Sequence, residues 1–148
     1  MSENKYDAIK LKNQLCFPLY AASREVIKLY RPYLYKLDLT YTQYITLMVL
    51  WENGDSNVKD LGKKLYLDSG TLTPLLKGLE KKGYVTRFRT PNDERYLTVS
   101  LTQKGESIKD DALYIHNEMA KNVCLSNEET LQLYKLMYKL LSVCEHKY

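Results

Sequence analysis

Between residues 8 and 37 apolar side chains recur every three or four positions, with Leu15, Leu19, Ala22, Val26, Leu29 and Tyr33 on one stripe. That spacing predicts an amphipathic helix, either continuous or in two joined pieces. Asn13 is the candidate N-cap of its main segment. Pro18 then falls in the second turn, where it removes one backbone hydrogen bond, and Pro32 bends the far end. Thr40 and Gln43 form a capping-box pattern ahead of Tyr44, Ile45, Leu47, Met48, Leu50 and Trp51. This second helix is apolar nearly all round, so it is expected to be buried in the core, and Asn53-Gly54 ends it. Near the other end of the chain, Thr102 opens a helix to about Val123 with a thinner stripe of Ile108, Ala112, Ile115 and Met119. Ser126 with Glu129 is a second capping box, and the last helix carries Leu133, Leu136, Met137, Leu140 and Leu141.

The middle of the chain changes period twice. A short helical pattern, Val58 to Leu65, is capped by Ser56 or Asn57. A break at Tyr66-Leu67-Asp68-Ser69 follows, with Asp68 or Ser69 as the next cap, and a second helical pattern runs from Gly70 to Lys82 until Gly83 stops it. Two β-like runs, Tyr84 to Arg89 and Tyr96 to Leu101, flank a polar turn from Thr90 to Arg95. Helix, tight turn, helix, hairpin is the order of a winged helix-turn-helix, which lays its second helix in the DNA major groove. The expected fold is therefore mainly α: about six helices and a two-stranded wing. One domain is expected over residues 1–148, with a DNA-binding module at about 42–101 and long flanking helices at about 8–37 and 103–146. Those flanking helices either pack on their own module or form a two-fold dimer interface. The dimer is favoured, because two recognition helices then meet half-sites one DNA turn apart, ~34 Å.

Composition narrows the class. A chain of 148 residues suits one domain with a real core. No apolar run approaches the roughly 18 residues of a membrane span, and the first residues show no hydrophobic signal region, so a cytoplasmic protein with no membrane partner is expected. The three cysteines, Cys16, Cys124 and Cys144, are odd in number and widely spaced, which is neither a disulfide framework nor zinc-ligand spacing. His116 and His146 have no partner at metal-ligand spacing, so neither a metal nor a cofactor is expected. A net charge of +4 permits nucleic-acid binding without demanding it; where the basic residues sit matters more. The 14 tyrosines against two Phe and one Trp mean that much of the aromatic packing brings a hydroxyl with it.

The candidate DNA-reading residues follow from the module. Ser69, Thr71 and Thr73 stand at the start of the second helix, where hydroxyls and free N–H groups suit phosphates and base edges. Lys77 and Lys81 share one face a turn apart. Arg87 and Arg89 alternate with Phe88, so both can point to one side of the hairpin, and Arg95 sits at its tip close to Asp93, which can orient the guanidinium toward a minor groove.

The run from Leu61 to Lys77, with Asp93-Glu94-Arg95 matching an Asp-x-Arg wing signature, resembles the MarR family of repressors. The resemblance covers almost the whole chain. Leu67-Asp68-Ser69-Gly70-Thr71-Leu72-Thr73-Pro74-Leu75-Leu76-Lys77 together with Gln14-Leu15-Cys16-Phe17 is similar to its OhrR branch, thiol-based sensors of organic peroxides. It implies a dimeric repressor, not an enzyme, that releases a pseudo-palindromic double-stranded operator when organic peroxides oxidise Cys16. In the first turn of a helix, free N–H groups and the helix dipole favour a thiolate, the species that attacks a peroxide. The OhrR pattern also implies hydroxyl donors to the sulfur, at Tyr30 and, across from the partner subunit, Tyr41. Tyr20, on the face of Cys16, and Phe17, Leu19 and Met48 are expected to line an apolar pocket. Pro18 stands where many relatives carry a helix former and bears on how that turn presents the thiol. The oxidised sulfur is either capped by a small thiol or resolved by a second cysteine, for which Cys124 is the candidate; Cys144 is expected to be a packing or surface residue. Two other readings remain: a regulator of the same family answering a small-molecule ligand or acting as a broader redox or global regulator, and a thiol peroxidase. The last lacks a general base beside Cys16 and gives a wing no purpose.

Overall fold

The computed structural model describes residues 4–90 and 93–145. Seven α-helices are found among them, with a small antiparallel sheet. The first, α1 (Cys16–Lys36), starts later than the apolar stripe suggested, because residues 7–9 and 11–13 form two 3-10 turns. Asn13 is therefore not its N-cap. Leu15 holds that position without a side-chain hydrogen bond, while Asn13 donates its amide to the Asp7 carbonyl at 2.6 Å. Pro18 consequently lies third in the helix, within the first turn, where backbone N–H groups have no intrahelical partner and proline is tolerated. Pro32 is accommodated inside the helix without ending it.

Helix α2 (Tyr41–Asn53) opens on a complete capping box: Gln43 N–H donates to Thr40 Oγ1 at 3.2 Å, and Thr40 N–H to Gln43 Oε1 at 3.1 Å. Gln43, Tyr44, Thr46, Leu47 and Leu50 are buried, although Met48 faces outward. A two-residue strand, β1 (Ser56–Asn57), leads into α3 (Val58–Leu65), and Asn57 is the cap, accepting from Asp60 N–H at 2.8 Å. Tyr66 closes α3 in the left-handed conformation, φ 55°. Asp68 caps α4 (Ser69–Lys81) by accepting from Thr71 N–H at 2.8 Å.

The sheet has three strands rather than the expected two. β2 (Val85–Thr90) and β3 (Asp93–Leu101) pair with Val85 opposite Leu101 and Arg87 opposite Val99, and β1 adds to the other edge of β3. The helix expected from Thr102 to Val123 is broken at Ile108 into α5 (Gln103–Ser107) and α6 (Lys109–Asn122). The short α5 is held by contacts outside the segment. Gly105 is pressed so closely on the Tyr84 carbonyl that a Cβ there would meet it at 2.2 Å. The same short helix offers its Gly105 carbonyl to the Trp51 indole at 3.0 Å. Helix α7 (Asn127–Glu145) begins with both halves of the Ser126–Glu129 capping box in place.

The core joins α2, α3, α4 and the sheet, with Leu47, Leu61, Leu79 and Val99 fully enclosed. On α1 the buried stripe shares only Tyr33 with the one the spacing singled out. Tyr30, Tyr33, Leu34 and Leu37 pack on the core, while Leu15, Val26 and Leu29 remain exposed. No helix among the described residues is long and apolar enough to cross a membrane.

Candidate redox site and nucleic-acid interface

Cys16 is the first residue of α1 and its thiol is exposed. Phe17 and Tyr20 beside it are also exposed. The Tyr20 hydroxyl is occupied by Arg24, which donates to it at 2.6 Å and lays its guanidinium over the ring 5.3 Å from the centroid. That pair makes a charged rim on the face that Cys16 shares.

The other candidate pocket residues form a separate group. Tyr30 meets Tyr41 edge-on with ring centroids 4.9 Å apart, and Tyr44, which the sequence reading placed only in the core, lies 6.1 Å from Tyr30. Burial pushes the phenols of Tyr30 and Tyr41 up and that of Tyr44 up to about 12, so all three stay protonated through the neutral range, and the Tyr44 hydroxyl donates to the Ala112 carbonyl at 3.4 Å. Tyr30 and Cys16 sit on one helix 14 positions apart, about 21 Å at 1.5 Å per residue. A single chain therefore does not bring the sulfur to the tyrosine pair. Leu19 is half-buried, and Met48 projects from α2.

Of the other cysteines, Cys124 lies in the α6–α7 turn at φ 51° with its thiol donating to the Lys121 carbonyl at 3.6 Å. Cys144 is near the end of α7, and both are free and exposed. His116 is exposed on α6, and His146 lies outside the described residues.

At the start of α4, Ser69, Thr71 and Thr73 are all exposed. Thr71 is partly committed, its hydroxyl donating to Asp68 Oδ2 at 3.2 Å. The N–H and hydroxyl of Thr71 together hold the Asp68 carboxyl below its usual range. Lys77 and Lys81 are exposed further along the helix. Arg87 is engaged otherwise than its alternation with Arg89 suggested: its Nε and Nη2 both donate to Glu80 Oε2, at 3.0 and 2.6 Å. Its charge is thus spent on fastening β2 to α4, and the guanidinium in turn pulls the Glu80 carboxyl down. Arg89 is exposed on the same strand. Asp93 begins β3, but its side chain and that of Arg95 lie outside the described residues, as do Pro91 and Asn92.

One feature of this surface was missed. A groove of about 1250 Å³ runs between α3, the α3–α4 turn and β3, with Lys59, Lys63, Tyr66, Ser69 and Tyr96 on its walls. Lys59 and Lys63 are spaced i,i+4, which was a readable signal; the approach of Tyr96 to the helix pair depends on strand register and was not.

Residues 28–112 match the family model of the transcriptional regulator SarA/Rot. The chain is 48% identical over 145 residues to the organic hydroperoxide resistance transcriptional regulator of Bacillus subtilis, covering 98% of this chain and 99% of that one. Among solved structures, reduced AbfR bound to DNA superposes with a TM-score of 0.77 at 33% identity, covering 95% of this chain and 99% of that chain; AbfR is a Staphylococcus epidermidis protein, also solved in overoxidised, DNA-bound and disulfide-formed states. A mutant MarR of E. coli complexed with operator DNA gives a TM-score of 0.76 at 29% identity, covering 94% of this chain and 99% of that chain. These relatives are regulators and not enzymes. On the strength of near full-length identity to a peroxide-resistance regulator and a shared winged-helix architecture, the chain belongs to the MarR family of transcriptional regulators, in its OhrR-type branch.

Proposed function

We propose that this chain acts in the cytoplasm as a homodimeric repressor that holds a pseudo-palindromic operator until an organic hydroperoxide oxidises Cys16. The observation that carries the reading is the separation of the two halves of the thiol site. Cys16 stands exposed at one end of α1 and the protonated tyrosine pair lies about 21 Å along it. A second α1 running antiparallel about a two-fold axis would bring one chain's sulfur to the other chain's phenols, twice. The exposed apolar side chains of α1 and α7 support such a pairing.

The chemistry is that of a thiolate on a peroxide. The Cys16 sulfur attacks one oxygen of the hydroperoxide; the S–O bond forms, the O–O bond breaks, and the leaving alkoxide takes a proton to depart as an alcohol. The resulting sulfenic acid condenses with a second thiol and releases water. Cys124 offers one thiol within the protein and a small cellular thiol offers another. Bulk or a crosslink at the subunit junction then alters the spacing of the two α4 helices, and the operator is lost. Ser69, Thr71, Thr73, Lys77, Lys81, Arg89 and Arg95 are proposed to meet DNA, with Asp93 orienting Arg95 and Arg87 acting indirectly through Glu80. In this reading residues 42–101 are the DNA-binding module and the flanking segments pair the subunits.

A gel shift on duplex DNA selected from random sequence by the reduced protein tests it. Substoichiometric cumene hydroperoxide should release the wild type and leave Cys16→Ser bound. A second reading is favoured by the family match, which begins at residue 28 and leaves Cys16 outside: a broader regulator whose DNA binding is independent of that thiol. Release of both proteins, or of neither, selects it.

A further inference from the structure

The C-terminal end of α4 is fastened to the corner between α1 and α2 by polar groups that neither the thiol nor the DNA-facing surface requires. Lys82 is the C-cap of α4. Its ammonium donates to the Asp38 carbonyl at 2.5 Å and to Gln43 Oε1 at 3.1 Å, and the Asp38 carboxylate lies 3.5 Å away. Two residues on, the Tyr84 hydroxyl donates to the Leu37 carbonyl at 2.6 Å. Leu37 is the C-cap of α1, and Asp38 follows it at φ 51°, a conformation that L side chains rarely adopt. Carbonyls at a helix C-terminus lack intrahelical partners and carry the negative end of the dipole, so an ammonium and a phenol are well placed there.

Gln43 is buried, as is Tyr84. Its Oε1 accepts from both Thr40 N–H and Lys82, and its Nε2 faces Gly78, where an added Cβ would meet it at 2.8 Å. A side chain at 78 would therefore press on the Gln43 amide and displace it from this position. The corner so gripped is also flanked by the tyrosine pair: Tyr30 is two turns before Leu37, and Tyr41 is the first residue of α2.

We propose that Lys82, Gln43 and Tyr84 are positioning residues, a clasp through which the α1–α2 corner sets the angle at which α4 meets DNA. Directional hydrogen bonds have one good geometry, so a displaced corner either carries the end of α4 with it or breaks the clasp. The trigger for that displacement rests on the peroxide reading above; the mechanical coupling does not.

The test is fluorescence anisotropy on the selected duplex across a range of salt, for wild type, Lys82→Met, Lys82→Arg and Gln43→Met, with circular dichroism confirming that each is folded. Lys82→Met and Gln43→Met should each lose about tenfold in affinity, a typical coupling between two sites, with the salt dependence unchanged, and Lys82→Arg should regain most of it. After cumene hydroperoxide, the difference between reduced and oxidised protein should shrink in the two Met variants, while dimedone traps the Cys16 sulfenic acid as fully as in wild type. Unchanged affinity in both Met variants overturns the proposal. So does a Lys82→Met loss with a salt slope shallower by about one, the mark of a direct phosphate contact. A wild type that ignores peroxide sinks the peroxide reading, yet the salt slopes still decide the clasp. Should Gln43→Met fail to fold, the Met and Arg variants at Lys82 suffice.

Discussion

Helices α4 and α7 carry the same kind of apolar stripe and meet opposite fates. On α4, Leu72, Leu75, Leu76 and Leu79 are all buried against α2, α3 and the sheet. On α7, Leu131, Leu133, Leu136 and Leu140 are all exposed, Leu136 by 63%. Periodicity states that a helix has a face to bury; it does not say against what. The central module supplies its own cover, whereas the flanking helices keep an apolar face that a monomer leaves wet, as an assembling chain would.

That contrast can be broken by mutation. Leu79→Ala should cost about 2–5 kcal/mol, the usual range for emptying a closed core site, read by urea unfolding. Leu136→Ala should cost far less in the isolated chain. The pair Leu136→Glu and Leu140→Glu should instead change assembly: sedimentation velocity should show the dimer giving way to monomer while the module's circular dichroism persists. A monomeric wild type would remove the dimeric reading altogether. At the next level, Thr40→Ala removes half of the box that starts α2 and should cost ~1 kcal/mol; Ser126→Ala, at the start of the uncovered α7, should cost less.

The ionisable groups sharpen the comparison at its small end. Tyr44 is deprotonated less readily when folded, its pKa being raised to about 12. The stability it lends is complete below the unfolded phenol's pKa near 10 and is lost as pH rises toward 12. Tyr44→Phe should flatten alkaline unfolding in that window. Asp68 and Glu80 shift the other way, lowered by Thr71 and Arg87 respectively. Their contribution is present above the unfolded carboxylate range near 4 and fades as pH falls through their lower folded values, so Asp68→Asn should slightly flatten the acid limb.

Local signals were legible wherever a few neighbouring residues decide the outcome. The boxes at Thr40 and Ser126, the stop at Gly83 and the helix-turn-helix-hairpin order all read directly from spacing. The start of α1 did not, since Asn13 is drawn instead into the turn begun at Asp7. Nor did the break at Ile108, the close packing of Gly105 on Tyr84, or the pairing of Arg87 with Glu80 seven residues back. In the thiol site, Cys16, Tyr30 and Tyr41 were named from a resemblance; Tyr44 was missed because its neighbour across the corner comes from another helix.

By itself, the sequence determined most of the segments that become helix or strand, where several of them start, and that one cysteine lies in the first turn of a long amphipathic helix. Those outcomes depend on backbone capping and periodicity within a turn or two. Only the tertiary structure decided that the buried stripe of α1 shares just Tyr33 with the one its spacing favoured, that a third strand joins the wing, and that Lys82 reaches back 44 residues to Asp38. Such pairings are settled by which surfaces the whole chain can close together at once, and no short window of residues contains that information.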